Sequence, residues 1–155
     1  MPTYQEHILI QRDPAEVFNY MGNIENEREW QPGVRQAVQI PPGPQRVGTR
    51  RRYVTSFLGK KFKNEYVNTI YERPYHVVYE STPESDLQAR GDITVQAVAG
   101  GTLVTMRIEV SIPRALKLVP RKIVEKASQK ELVSSLHRLK SILDGTSEEP
   151  LGVQR

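Results

Sequence analysis

Cysteine is absent from this chain, which removes disulfide frameworks, thiolate metal sites and cysteine nucleophiles, and leaves packing alone to hold the fold. Histidine is scarce: His7, His76 and His137 fall on a first strand, a strand start and a late helix turn. No pair of them has a spacing that suggests metal ligation or a nucleophile with its base. No apolar run reaches the roughly 18 residues that would span a bilayer, and the opening Met1-Pro2-Thr3-Tyr4-Gln5-Glu6-His7 lacks the basic and apolar stretches of an export signal. Gly91, Gly100 and Gly101 read as turn or bulge residues, not as a phosphate-cradling loop between a strand and a helix. The acids Glu25, Glu27 and Glu29, and Glu84 with Asp86, lie in polar segments where no raised carboxyl pKa is expected. These absences predict a cytoplasmic protein with no metal, no cofactor and no catalytic constellation.

What is present fits one domain. At 155 residues the chain can bury about two thirds of the surface its unfolded form exposes. The expected division is a domain over 1–145 and a flexible tail over 146–155, because Glu148-Glu149-Pro150 and Gly152 offer little apolar content. The net charge of +4 is modest but uneven. Arg46, Arg50, Arg51, Arg52, Lys60, Lys61 and Lys63 run without an acid between them, as a solvated outer sheet face that keeps edges from aggregating, or as the seat of an anionic partner.

The segment Tyr4–Gln11 reads as a first strand. Asp13-Pro14, with Glu16 three residues after Asp13, signals a helix start, and Val17, Phe18 and Met21 give that helix an apolar face. Gly22-Asn23 interrupts it, and a second short helix follows through Trp30 until Pro32-Gly33. Strands are then expected over Val34–Ile40, Val47–Leu58, Lys60–Glu72, Tyr75–Thr82, Gln88–Val98 and Thr102–Ser111. Their short connections join antiparallel neighbours. Val104, Met106, Ile108 and Val110 alternate with Leu103, Thr105, Arg107 and Glu109, which assigns the first set to the buried side; Ile93 and Val95 repeat the pattern one strand earlier. Leu116, Val119, Ile123, Ala127, Leu132, Leu136, Leu139 and Leu143 mark an amphipathic last helix. It opens at Pro113 or its neighbour, begins in earnest near Pro120 or kinks there, and closes at Gly145. The fold class is therefore α+β: a curved seven-stranded antiparallel sheet, in the order β-α-α-β6-α, around a long C-terminal helix. One helix covers only a strip of such a sheet, so space remains beneath it for side chains or for a ligand.

The phrases Ile10-Gln11-Arg12-Asp13-Pro14-Ala15-Glu16-Val17-Phe18 and Asn23 to Val34 resemble the opening of polyketide cyclase/dehydrase-type proteins in the START-like (SRPBCC) superfamily. Val47-Gly48-Thr49-Arg50, Tyr71-Glu72-Arg73-Pro74 and Gly100 to Thr105, with a last helix ending Leu136 to Leu143, extend the resemblance over roughly residues 4–143. It implies a helix-grip fold with a hydrophobic cavity. The superfamily hosts cyclases, lipid carriers and hormone receptors, so the resemblance speaks to fold more than to function.

The residues expected at the ligand are Trp30, Tyr53, Phe57, Tyr66, Tyr79, Ile93, Val95, Met106, Ile108, Ile123 and Ala127. Trp30 either caps the cavity mouth or anchors packing. Among Tyr53, Tyr66, Tyr71 and Tyr79 some must face solvent, and Tyr66 and Tyr79 are preferred for the interior. The expected function is binding or transport of a small hydrophobic molecule: a lipid, isoprenoid, polyketide or aromatic metabolite. One alternative is a cyclase or dehydratase that uses the same cavity, and another is an interaction module that works through its basic surfaces. In the last helix Arg114, Lys117, Arg121, Lys122, Lys126, Lys130, Arg138 and Lys140 stand against Glu125 and Glu131, as a solvated face or as a transient contact with an anionic membrane surface. A nucleic acid partner is not expected, and the protein is expected to be a monomer or a dimer.

Overall fold

A computed structural model describes residues 2–145 of the chain; the expected tail, 146–155, lies outside the described residues. β1 (Thr3–Ile10) turns Tyr4, Ile8 and Ile10 inward. Asp13 Oδ1 accepts the Glu16 amide at 2.9 Å and Pro14 takes the first helical position, so α1 (Pro14–Gly22) starts where the sequence predicts and buries Val17, Phe18 and Met21. Asn23 Oδ1 accepts the Glu25 amide at 3.0 Å and caps a 3-10 turn over Ile24–Asn26, which leads into α2 (Glu27–Trp30).

β2 (Val34–Ile40), β3 (Arg50–Phe57), β4 (Lys60–Glu72), β5 (His76–Ser81), β6 (Ala89–Val98) and β7 (Gly101–Val110) follow as the expected meander. β1 returns to pair with β7, Ile8 opposite Val104, so the sheet order is β1-β7-β6-β5-β4-β3-β2 and every pair is antiparallel. The strand expected from Val47 starts at Arg50 instead. Gly48 there takes a φ of +90°, a conformation that glycine adopts without strain, inside a turn closed by the Thr49 amide on the Arg46 carbonyl. In β4 the pairing with β5 slips between Asn68 and Ile70. That extra residue switches the inward parity, so Tyr66 and Asn68 before it and Tyr71 after it face the same interior.

A 3-10 turn over Arg114–Leu116 precedes α3 (Arg121–Leu143), whose N-cap is Pro120. Proline lacks the amide that an interior helical position would use, so residues from Pro113 to Pro120 do not join the helix. Gly145, at φ +71°, follows its end. α3 packs on β1 and α2 and buries Val124, Leu132, Ser135, Leu136 and Leu139. The main core joins Ile10, Val17, Trp30, Val104, Leu136 and Leu139; a second cluster at the other end joins Phe62, Leu116 and Val124. Each large side chain so buried contributes about 1.5–3 kcal/mol. This is the helix-grip arrangement. Among the described residues no helix is long and apolar enough to cross a membrane.

Candidate functional site

The curved sheet and α3 leave between them a cavity of about 290 Å³, close to the smaller end of the size range of small-molecule sites. Three tyrosines cross its floor. Tyr53, Tyr66 and Tyr79 sit diagonally on β3, β4 and β5, with ring centroids 5.7 Å and 5.1 Å apart in edge-on contact. Such pairs are worth about 0.5–1.5 kcal/mol each beyond their burial. Burial pushes all three phenols up in pKa, Tyr66 to about 12. They therefore remain protonated hydrogen-bond donors at any physiological pH. Tyr66 Oη accepts Asn64 Nδ2 at 3.0 Å, which leaves its own proton to give; the Tyr79 hydroxyl makes no hydrogen bond among the described residues.

Of the other residues expected at the ligand, Trp30, Phe57, Ile93, Met106 and Ile108 also line the cavity. Trp30 is at once wall and anchor: it is 1% exposed in the main core, and its indole Nε1 is buried without a hydrogen-bond partner among the described residues. Val95, Ile123 and Ala127 do not line it. Val95 is packed inside the main core, Ile123 is 50% exposed and Ala127 is half-buried. The helix presents Val124, Ser128, Glu131, Leu132 and Ser135 to the cavity instead. One residue along a helix is about 100° of rotation, so an apolar count that centres the stripe on Ile123 and Ala127 misses a cavity face containing two serines and a glutamate. The Ser128 hydroxyl is satisfied by its donation to the Val124 carbonyl at 2.8 Å.

A polar pole, not foreseen from the sequence, closes one part of the wall. Glu27 and Arg51, assigned above to polar surface segments, are buried side by side, with Arg51 Nη1 3.0 Å from Glu27 Oε1. Tyr53 donates to the same oxygen at 2.8 Å, and Gln31 Nε2 donates to Glu27 Oε2. Arg51 also donates to Gln39 Oε1 at 2.7 and 3.1 Å and to the Gly22 carbonyl. Burial pushes the Glu27 carboxyl up, against the pull of Arg51, Tyr53 and Gln31. The reason for the miss is register: β3 points Arg51, Tyr53, Thr55 and Phe57 inward together, and the Arg50-Arg51-Arg52 run carries no mark of which arginine is the inner one.

On α3, Glu131 has no ion-pair or hydrogen-bond partner among the described residues, and burial alone raises its pKa. It reaches toward the α2–β2 turn, where a side chain at Gly33 would come within 3.1 Å of its carboxylate. Gly91 is no turn residue: it stands opposite Tyr79 in the sheet, and a Cβ there would lie 2.1 Å from the phenol ring. Gly91→Ala is expected to cost about 1–3 kcal/mol in chemical denaturation, because the Tyr79 ring must be pushed into the cavity. The three histidines stay outside it; His76 Nε2 lies 2.9 Å from Asp92 on the sheet.

A helix-grip protein with a partly polar internal cavity is the class that these features define. The chain belongs to the family described as polyketide cyclase/dehydrase and lipid transport, whose profile matches residues 1–144. No curated protein matches it by sequence. Among solved structures it is similar to TTHA0849 from Thermus thermophilus, at 22% identity and a TM-score of 0.77 over 95% of this chain and 100% of that one. DR_A0006 from Deinococcus radiodurans aligns at 14% identity and a TM-score of 0.67, covering 90% of this chain and 95% of the other. The di-domain ARO/CYC StfQ of the steffimycin biosynthetic pathway aligns at 14% identity and a TM-score of 0.71, over 94% of this chain and 52% of StfQ. At such identities these structures speak for the fold.

Proposed function

We propose that the protein binds, and carries or presents, a small, largely apolar molecule that bears at least one oxygen. The carrying observation is the cavity itself, whose apolar wall is broken by the Tyr66 and Tyr79 hydroxyls, both with a proton free to give. A hydrocarbon alone would leave those donors unpaired at a cost of about 1–3 kcal/mol each, whereas a carbonyl or hydroxyl oxygen would satisfy them. The oxygenated members of the lipids, isoprenoids, polyketides and aromatic metabolites meet that description. An anionic membrane surface is the transient partner this reading implies, because an apolar guest exchanges more readily with a bilayer than with water. Native mass spectrometry of protein purified from its own host, followed by organic extraction, tests the proposal. A stoichiometric oxygenated ligand is expected; protein that carries nothing and takes up no apolar probe would refute it.

A catalytic reading is favoured by one observation: Glu131 places on the cavity wall a carboxyl that has no partner among the described residues and whose pKa is raised by burial, the direction that favours a role in proton transfer. StfQ is an ARO/CYC of a biosynthetic pathway, and a cyclase or dehydratase would use such a group on a chain folded in the cavity. Glu131→Gln is then expected to lower turnover of a poly-ketone substrate by about a hundredfold or more while it leaves binding nearly unchanged. Equal turnover in the variant, or none in the wild type, removes this reading and leaves the binder.

A further inference from the structure

One end of the molecule combines features that an ordinary solvated surface does not need. Leu118, in the connection between β7 and α3, is 100% exposed; Ile123 in the first turn of α3 is 50% exposed, and Leu58 at the tip of the β3–β4 hairpin is 41% exposed. The two segments that carry them are held together, because Phe57 and Phe62 of the hairpin pack in one cluster with Leu116 and Val119 of the connection and Val124 of α3. Phe57 and Val124 of that cluster also wall the cavity, so the exposed leucines ride on the shell of the binding site.

Around them the charge is predominantly positive. Lys60, Lys61, Arg114, Lys117, Lys122 and Lys126 are all exposed, and none is ion-paired with a described residue. Over residues 57–63, 82–88 and 111–126, which make up this end, eight Lys or Arg stand against three Asp or Glu. One of those acids, Glu125, is engaged by Arg121 at 2.9 Å, and another, Asp86, accepts the Lys63 amide at 2.7 Å. Cations able to reach a headgroup layer, set beside apolar side chains that gain from entering the acyl boundary, are the recognition chemistry of an anionic bilayer. A polyanion such as nucleic acid would use the cations but give the leucines nothing to bury against.

We infer that the β3–β4 hairpin tip and the β7–α3 connection dock this protein on an anionic lipid surface, with Leu118 and Leu58 entering the interface while the surrounding lysines and Arg114 contact headgroups. The purpose of the docking rests on the reading of the cavity as a carrier site; its geometry does not. Docked in this way, the cluster formed by Phe57, Leu116 and Val124 is the layer between bilayer and cavity, and the one that a guest would cross.

The test is flotation of the full chain with vesicles of phosphatidylcholine, alone or doped with phosphatidylglycerol. Doped vesicles are expected to bind at least about tenfold more tightly than neutral ones. Leu118→Asp, at a fully exposed position that the fold does not use, is expected to weaken that binding about tenfold or more. The double variant Lys117→Glu, Lys122→Glu is expected to do the same, and Val38→Asp, at an exposed site on β2, to change nothing. Three results would overturn the inference: equal binding to both vesicle types, no binding, or binding that falls with charge reversal but is indifferent to Leu118→Asp. The last would assign the patch to a polyanion. Uptake of an apolar fluorescent probe, measured on the same proteins without vesicles, separates the two proposals. Wild type that floats with doped vesicles yet takes no probe keeps the docking and removes the carrier reading; Leu118→Asp that takes probe normally but no longer floats supports the docking directly.

Discussion

Arg51→Ala is expected to destabilise the protein by about 3–5 kcal/mol at neutral pH, the usual cost of stranding one member of a buried ion pair. The Arg51 and Glu27 side chains are only 9% and 4% exposed, so the stranded carboxylate is largely shielded from bulk water. Its removal also leaves Gln39 Oε1 and the Gly22 carbonyl without their Arg51 donors. The loss should depend on pH. Burial holds the folded Glu27 pKa above its ordinary 4.5, and without Arg51 the main opposing pull is gone. A carboxyl raised on folding gives stability that is fully present below its unfolded pKa and is lost as pH rises through the folded one. The deficit of Arg51→Ala should therefore shrink on acidification. Replacing both partners by apolar residues, Glu27→Leu with Arg51→Met, should cost less than Arg51→Ala alone. Denaturant unfolding at several pH values measures all three; a loss under about 1 kcal/mol with no pH dependence would show the pair to be solvated.

Ser128→Trp is expected to abolish uptake of a cavity ligand, weakening it by about a hundredfold or more, while it leaves stability unchanged or slightly raised. Ser128 faces the lumen from α3, and among the described residues its hydroxyl bonds only to the Val124 carbonyl of its own helix, a carbonyl within the helix that can still accept the helical amide when the hydroxyl is removed. An indole there would occupy much of a cavity of about 290 Å³ and would fill space that a ligand needs. Probe titration and thermal melting, run side by side, give the two readouts. Undiminished uptake by a well-folded Ser128→Trp would place the ligand elsewhere and undo the proposed function.

The parts of the fold that were legible are those coded by neighbours in sequence. Asp13 followed by Pro14 and Glu16 sets the start of α1, Pro120 sets the start of α3, and the alternation of Val104, Met106, Ile108 and Val110 sets the inner face of β7. Tyr53, Tyr66 and Tyr79 could be named as candidates for the wall, but the expectation that some of the central-strand tyrosines face solvent was not met, since Tyr53, Tyr66, Tyr71 and Tyr79 all line the cavity. The helix face was less legible. Ser128, Glu131 and Ser135 are polar, and hydropathy sends polar residues outward unless something in the interior needs them.

The order and type of the elements follow from local signals in this sequence: caps, prolines, turn glycines and strand alternation act between residues a few positions apart, so the chain itself contains them. Which arginine of Arg50-Arg51-Arg52 enters the interior, which of two adjacent helix faces looks at the sheet, and that Glu27 meets Arg51 across 24 positions were decided only by the tertiary structure. Those choices depend on strand register, on the slip in β4 after Asn68 and on the rotation of α3 about its axis, each of which is fixed when separate elements pack together.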